Sequence, residues 1–340
     1  MDLGGRGPGY ALRDILAEAS VPVQKAALIA HLTPDVLVLS GLDHDHDLIT
    51  LRAFRDLIAQ HGHLFQHVFA YPSNAGLRTG LDMTGDTRTD TADDTQGYGP
   101  FRGAKALAML SRFPVDQASA RDFSSFLWRD LPSALLPDMS TEALAIHRLS
   151  STGHWDVPIW VSPQVQLHLL VYQAGPPIFG GHESRNRLRN HDETAFWLRF
   201  LDGDLPMPPP SAPLVMIGGS NLDPSDGDGR HEAMRALLEH RSLQDPQPSS
   251  EGGRHASRDP RNRAHRGPPE LDTVHWPQTP GPGNLRVSYI LPARDLEVTD
   301  AGVFWPRPDN PEAVLLGDPD APPTRHRMVW VDILTESLKR

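Results

Sequence analysis

The chain has no cysteine in its 340 residues. That absence removes disulfides, zinc–thiolate centres and cysteine nucleophiles together, and leaves the compartment undecided. Long apolar runs are missing too: none approaches the roughly 20 residues that cross a bilayer, so no membrane span is expected. Positive charge is scarce, with 32 Lys and Arg against 43 Asp and Glu and a formal charge of −11. A protein that coats itself in nucleic acid needs a broadly basic surface to displace counterions, so only a local basic groove stays open. The opening MDLGGRGPGYALRDILAEAS has neither a basic n-region nor an apolar h-region and does not read as a signal peptide. With Met1 as the start the expected location is cytoplasmic; a periplasmic or secreted location requires an export signal upstream. No repeat of 20 to 50 residues is visible.

What is present fits a globular protein with a large core: 39% hydrophobic and 22% charged residues. YALRDILAE, VQKAALIAHL and LITLRAFRDLIAQHG carry apolar residues at helical spacing. PDVLVLSGLD, HLFQHVFAYP, AKALAMLSRFPV, QLHLLVYQAGPP, PLVMIGGSN, LRVSYILP and HRMVWVDIL are short apolar runs ended by turn residues, the pattern of buried strands. DETAFWLRFLDG and HEAMRALLEH are helices with acidic first turns. Abundant Pro and Gly, 33 and 28 residues, punctuate the connections. Two long loops, acidic near 82–95 and basic near 246–268, are expected to be mobile insertions in a single domain spanning 1–340.

Polar clusters at strand ends are where such folds place chemistry, because a rigid strand aims the side chain. Asp43, Asp45 and Asp47 alternate with His44 and His46, so an extended chain offers carboxylates on one face for a metal; the same letters serve equally as a helix N-terminus. Arg185, Arg187 and Arg189 suit a phosphate ester by bidentate hydrogen bonding, or form a solvated turn before a helix capped by Asn190 or Asp192. The aspartates of DMTGDTRTDTADD miss the alternation of a calcium loop. The basic stretch from Arg254 to Arg266 lacks aromatics to stack bases. GGSNLDPSDGDGR lacks both dinucleotide spacing and a P-loop lysine.

The order PDVLVLSGLD, ALAMLSRFPV, a strand before AGPP, GGSNLDP, LRVSYILP and a terminal TRHRMVWVDI resembles the endonuclease/exonuclease/phosphatase superfamily, across nearly the whole chain. The resemblance implies a DNase I-like α/β fold: a four-layer sandwich of two packed, mainly antiparallel sheets flanked by helices. It implies hydrolysis of phosphodiesters or phosphomonoesters with Mg²⁺ or Mn²⁺, on a phosphate-ester substrate that includes nucleic acid among its candidates. By the resemblance, Asn221, His326 and Gln173 stand at catalytic positions; from the residues themselves, Arg189, Asn190 and His191 are the substrate-binding candidates, and Asp43, Asp45 or Asp223 would supply the ion. The chain departs from the family pattern at Gly41, Gln173, Gly219, Ser288 and Arg325, where the family carries a glutamate, a histidine and three aspartates. The family's early asparagine and most of its first strand would fall ahead of LGGRGPG. Two functions follow as expectations: a divergent metal-dependent phosphoesterase, or an inactive binding or structural protein on the same fold.

Overall fold

The structure is a computed structural model that describes residues 3–180, 184–276, 281–318 and 322–339. Helices α1 (Tyr10–Leu16), α2 (Ser20–Leu32) and α3 (Ile49–Gln60) surround strand β1 (Val36–Leu42) in sequence. Then come β2 (His67–Phe69), β3 (Ala106–Ser111), β4 (Arg121–Asp122), α4 (Thr141–Ile146), β5 (Gly153–Ser162), β6 (Val165–Gln173), α5 (Arg185–Asp202), β7 (Leu214–Gly219), α6 (Glu232–Leu238) and α7 (Glu251–Ala256). Strands β8 (Val274–Trp276), β9 (Gly283–Leu285), β10 (Ser288–Pro292), β11 (Val298–Phe304) and β12 (Met328–Ile333) complete the chain.

The layers follow from the two-residue period of the strands. In β1, Leu37 and Leu39 pack with α2 and α3 in one core, while Val36 and Val38 face the other. In β3, Ala108 and Leu110 join the first core and Leu107 and Met109 the second. The three-stranded sheet β1-β3-β2 is therefore sandwiched between helices and the five-stranded sheet β10-β7-β6-β5-β4. Helix α5 covers that second sheet with Phe196, Trp197 and Phe200, all fully buried with Trp155 and Tyr172. Every named ladder is antiparallel except β6–β7. This is the four-layer arrangement that the sequence order implies.

Two features, strand β5 and the start of helix α5, differ from the expectations. GHWDVPIWVS forms the ten-residue strand β5, although Pro158 argues against a strand interior; on that side β4 pairs no further than Trp155 and Asp156, and beyond it Val115 makes a single bridge to Ile159. Helix α5 begins at Arg185, well ahead of the DETAFWLRFLDG run. The basic stretch near 246–268 carries α7 and a 3₁₀ turn over Pro260–Ala264. The acidic stretch near 82–95 is held by its own side chains: the Asp82 carboxylate accepts the N–H groups of Thr84, Gly85 and Thr87, and Asp94 those of Met83 and Thr91.

Candidate functional site

Register brings four strand ends into one line. Gly153 pairs with Gln173, Gln173 with Gly219, and Gly219 with Ser288. Glycine at 219 matters because a Cβ built there would lie 2.0 Å from Oε1 of Gln173. The Gln173 amide thus fills the space that a side chain at 219 would need, and its Nε2 donates to the carbonyl of Ala174 at 3.0 Å. Asn221, in the left-handed region at φ 50°, donates its own Nδ2 to the same carbonyl at 2.8 Å. Gln173 and Asn221 therefore converge on one atom.

His326 connects to the start of β10 through residues 273–274. It bridges to Val274, and the neighbouring Thr273 hydroxyl accepts the N–H groups of Val287 and Ser288 at 2.9 and 3.1 Å. Its ring stands edge-on to Trp276, centroids 5.7 Å apart. Behind Gly219, the phenol of Tyr289 donates to the carbonyls of Leu222 and Arg286 and is fully buried. Burial, first, then the nearby Asp223, holds that phenol un-ionised, against the pull of Arg286.

Helix α5 explains where the substrate-binding candidates go. Arg189 is buried and donates to the carbonyls of Leu149, Gln96, Arg148 and Ser150. Asn190 is fully buried, its Nδ2 donating to Gly175 and Ser220 at 2.7 Å each. One helical turn therefore clamps the loops that carry the strand ends, and the Oδ1 of Asn190 is left buried without a hydrogen-bond partner. Glu193 completes the clamp by accepting the N–H and hydroxyl of Ser151 and the N–H of Gly175. Burial pushes its carboxyl up, although Arg189 and these donors oppose the shift. His191 is half-buried and pairs with Asp192 at 2.8 Å, whose other oxygen takes the indole N–H of Trp128.

The three metal candidates are not brought together. Asp45 receives the N–H groups of Ile49 and Thr50 at 2.6 and 2.8 Å, one on each oxygen, so it caps α3. Burial acts to raise its pKa, but the Thr50 and Ile49 hydrogen bonds prevail and lower it. Asp223 accepts Ser225 and Asp226 N–H on one oxygen and Arg286 N–H on the other, closing the turn after β7. Asp43 accepts the N–H of Gly5 at 2.7 Å and of Lys105 at 3.0 Å on Oδ1, while Oδ2 is buried with no hydrogen-bond partner. Burial raises its carboxyl despite those donors and the Lys105 charge.

The family's divalent ion does not fit these residues. Mg²⁺ needs hard anionic oxygens and keeps several of its waters. At the glutamate position Gly41 sits at φ 85° on a bulge of β1, a conformation strained for any side chain. At the aspartate position Gly219 is overlaid by Gln173. The cavity that Asp43 and Asp45 help to line measures only about 10 Å³, room for about one water. Among the described residues no group of three or more His, Asp or Glu side chains is placed to hold a metal.

Comparison with known proteins places this arrangement. The Endonuclease/Exonuclease/phosphatase family matches residues 4–326, and the chain belongs to that family. Its fold is similar to an endonuclease/exonuclease/phosphatase from Beutenbergia cavernae, at 14% identity and TM-score 0.54, covering 92% of this chain and 65% of that one. The chain thus spans just under two thirds of that protein's length. A family protein from Bacteroides thetaiotaomicron aligns at 11% identity and TM-score 0.52 over 98% of this chain and 94% of its own. A mannosyl-6-phosphatase from the same species aligns at 12% identity and TM-score 0.51, covering 98% and 97%. No curated protein matches the sequence. No helix among the described residues is long and apolar enough to cross a membrane.

Sequence reasoning identified the strand ends but not their row, because register is set by long-range pairing. It also passed over the buried polar stripe of α5, whose Arg189, Asn190 and Glu193 interrupt any apolar period.

Proposed function

We propose that this chain recognises a phosphate ester at the family's strand-end rim without the family's metal-dependent hydrolysis. The observation that carries the reading is the Gln173 amide lying where a Gly219 side chain would stand. Amides at 173 and 221 and a hydroxyl at 288 hydrogen-bond an anionic oxygen, but they neither neutralise a divalent cation nor take a proton from water. Arg325, in place of a carboxylate, adds charge that attracts a phosphate and repels a metal. The retained Asn221 and His326 fit orientation of the bound ester. Binding of a phosphomonoester such as phenyl phosphate, measured by calorimetry with and without EDTA, tests this. The expected result is the same affinity in both; an affinity that requires Mg²⁺ or Mn²⁺ contradicts it.

One observation favours the second reading, a divergent metal-dependent phosphoesterase: the unpartnered Oδ2 of Asp43. Under that reading Asp43→Asn removes Mn²⁺ binding; under ours there is no Mn²⁺ binding to remove.

A further inference from the structure

A cleft of about 560 Å³ opens between the start of α5 and the loop that leads into α6. Its volume lies in the range of small-molecule sites. It adjoins the rim through the turn after β7: a Cβ on Gly229, which lines the cleft, would meet Leu222 at 2.3 Å. No Phe, Tyr or Trp is among the residues that line it, His231 supplies the one ring, and Leu188 is their only large apolar side chain. Such walls give a lipid chain nothing to hide against, and a base only the His231 ring, already tied to the Asp223 carbonyl, and two guanidinium planes to stack on.

The charges are mixed, and that decides the ligand. Arg187 is exposed and its guanidinium has no partner among the described residues. Arg230 approaches Glu232 only at 3.8 Å, and its Nε is buried without a hydrogen-bond partner. His231 donates Nδ1–H to the Asp223 carbonyl at 2.7 Å, which fixes the ring and leaves Nε2 for another partner. The two guanidinium groups match a phosphate, while the Nε2 lone pair of His231 accepts from a hydroxyl. Asp228 and Glu232 line the same cleft, and a bare anion would be repelled by them. Carboxylates accept hydrogen bonds from hydroxyl groups. A ligand that carries a phosphate at one end and several hydroxyls at the other satisfies both sets.

We infer that this cleft binds a phosphorylated sugar or polyol, with Arg187 and Arg230 on the phosphate and Asp228 on the hydroxyls. The assignment rests on the phosphate-ester reading and gives it a ligand class and a second contact surface. Calorimetry of the full chain in EDTA, with glucose 6-phosphate, glucose, inorganic phosphate and adenosine monophosphate as probes, tests it. Arg187 and Asp228 are exposed, so Arg187→Ala and Asp228→Asn leave folding intact. Glucose 6-phosphate is expected to bind tighter than each of the other three. Arg187→Ala should weaken it about tenfold, the effect of one charge-assisted hydrogen bond. Asp228→Asn should weaken glucose 6-phosphate while leaving inorganic phosphate unchanged. Adenosine monophosphate binding as tightly, or affinity unmoved by both variants, overturns the assignment. Loss on Asn221→Ala with Arg187→Ala silent overturns the cleft alone and leaves the rim reading standing. Failure of every phosphate ester to bind overturns both.

Discussion

Gln173 and Gly219 face each other across the parallel β6–β7 ladder, and the amide oxygen of the first lies 2.0 Å from where the second would carry a Cβ. The two residues are one unit: side chain on one strand, space on the other. Gly219→Ala is therefore expected to push the Gln173 amide aside and break its bond to the Ala174 carbonyl, a loss of about 1 kcal/mol. Because Gln173 is long and flexible, removing it should relieve the strain. In urea unfolding, the Gln173→Ala/Gly219→Ala double variant should be more stable than the sum of the singles by about that amount. Additive losses would show that the two side chains do not compete.

Asp45→Ala tests the helix-capping role. Both carboxylate oxygens receive N–H groups at the start of α3, so the variant should lose on the order of 1 kcal/mol. Asp45 has its pKa lowered in the folded state. Its contribution is thus present above the ordinary carboxylate pKa and lost as pH falls through the lower folded one. The stability difference between wild type and variant should vanish in acid; a difference that persists there would point to a role other than capping.

Arg189→Lys should be far more damaging than any surface change. A lysine has three donors on a flexible stem and cannot reproduce the fork that meets the carbonyls of Leu149, Gln96, Arg148 and Ser150. It also leaves the buried Glu193 with a poorer partner. A loss on the order of 3 kcal/mol is expected, read as a lowered melting temperature. Near-normal stability with weakened ligand binding would instead make Arg189 a substrate contact.

Two buried groups give opposite pH slopes. Burial holds His154 down to about 4 in the folded state, so its contribution is complete above the ordinary value of about 6.5 and lost as pH falls through 4. Burial, then the charges of Asp223, Asp226 and Glu270, pushes Asp272 up to about 8. Its contribution is complete in acid below the ordinary carboxylate value and lost as pH rises through 8. Asp272→Asn should therefore raise stability at pH 8 and have little effect at pH 4. A variant less stable than wild type at pH 8 would contradict this account of Asp272.

Much of the fold was legible in the sequence because β1, β3, β6 and β7 each carry a run of at least four mostly apolar residues ended by turn residues, and α3 is amphipathic. Strand β5 was not: Pro158 breaks the strand signal, and its position opposite His168 exists only after β5 and β6 pair. The start of α5 was hidden for a different reason. Arg189, Asn190 and Glu193 are polar yet buried, so their letters suggest a solvated turn or an anion site, and nothing in them announces the hydrogen bonds by which they tie together loops that are distant in sequence. Asp45 was readable as a cap, since an acidic residue before an apolar-periodic segment signals one. The substitutions at 41, 219 and 288 could be listed from sequence; that Gln173 occupies the vacated space could not, because it depends on which residue lies opposite Gly219.

The central claim, that the strand-end site no longer performs metal-dependent hydrolysis, is tested most directly by turnover of bis-p-nitrophenyl phosphate in the presence of Mn²⁺. The account predicts a rate for wild type equal to that of His326→Ala and unaffected by EDTA. A Mn²⁺-dependent rate that falls at least a hundredfold in His326→Ala, the scale of a lost acid–base or transition-state contact, would contradict it.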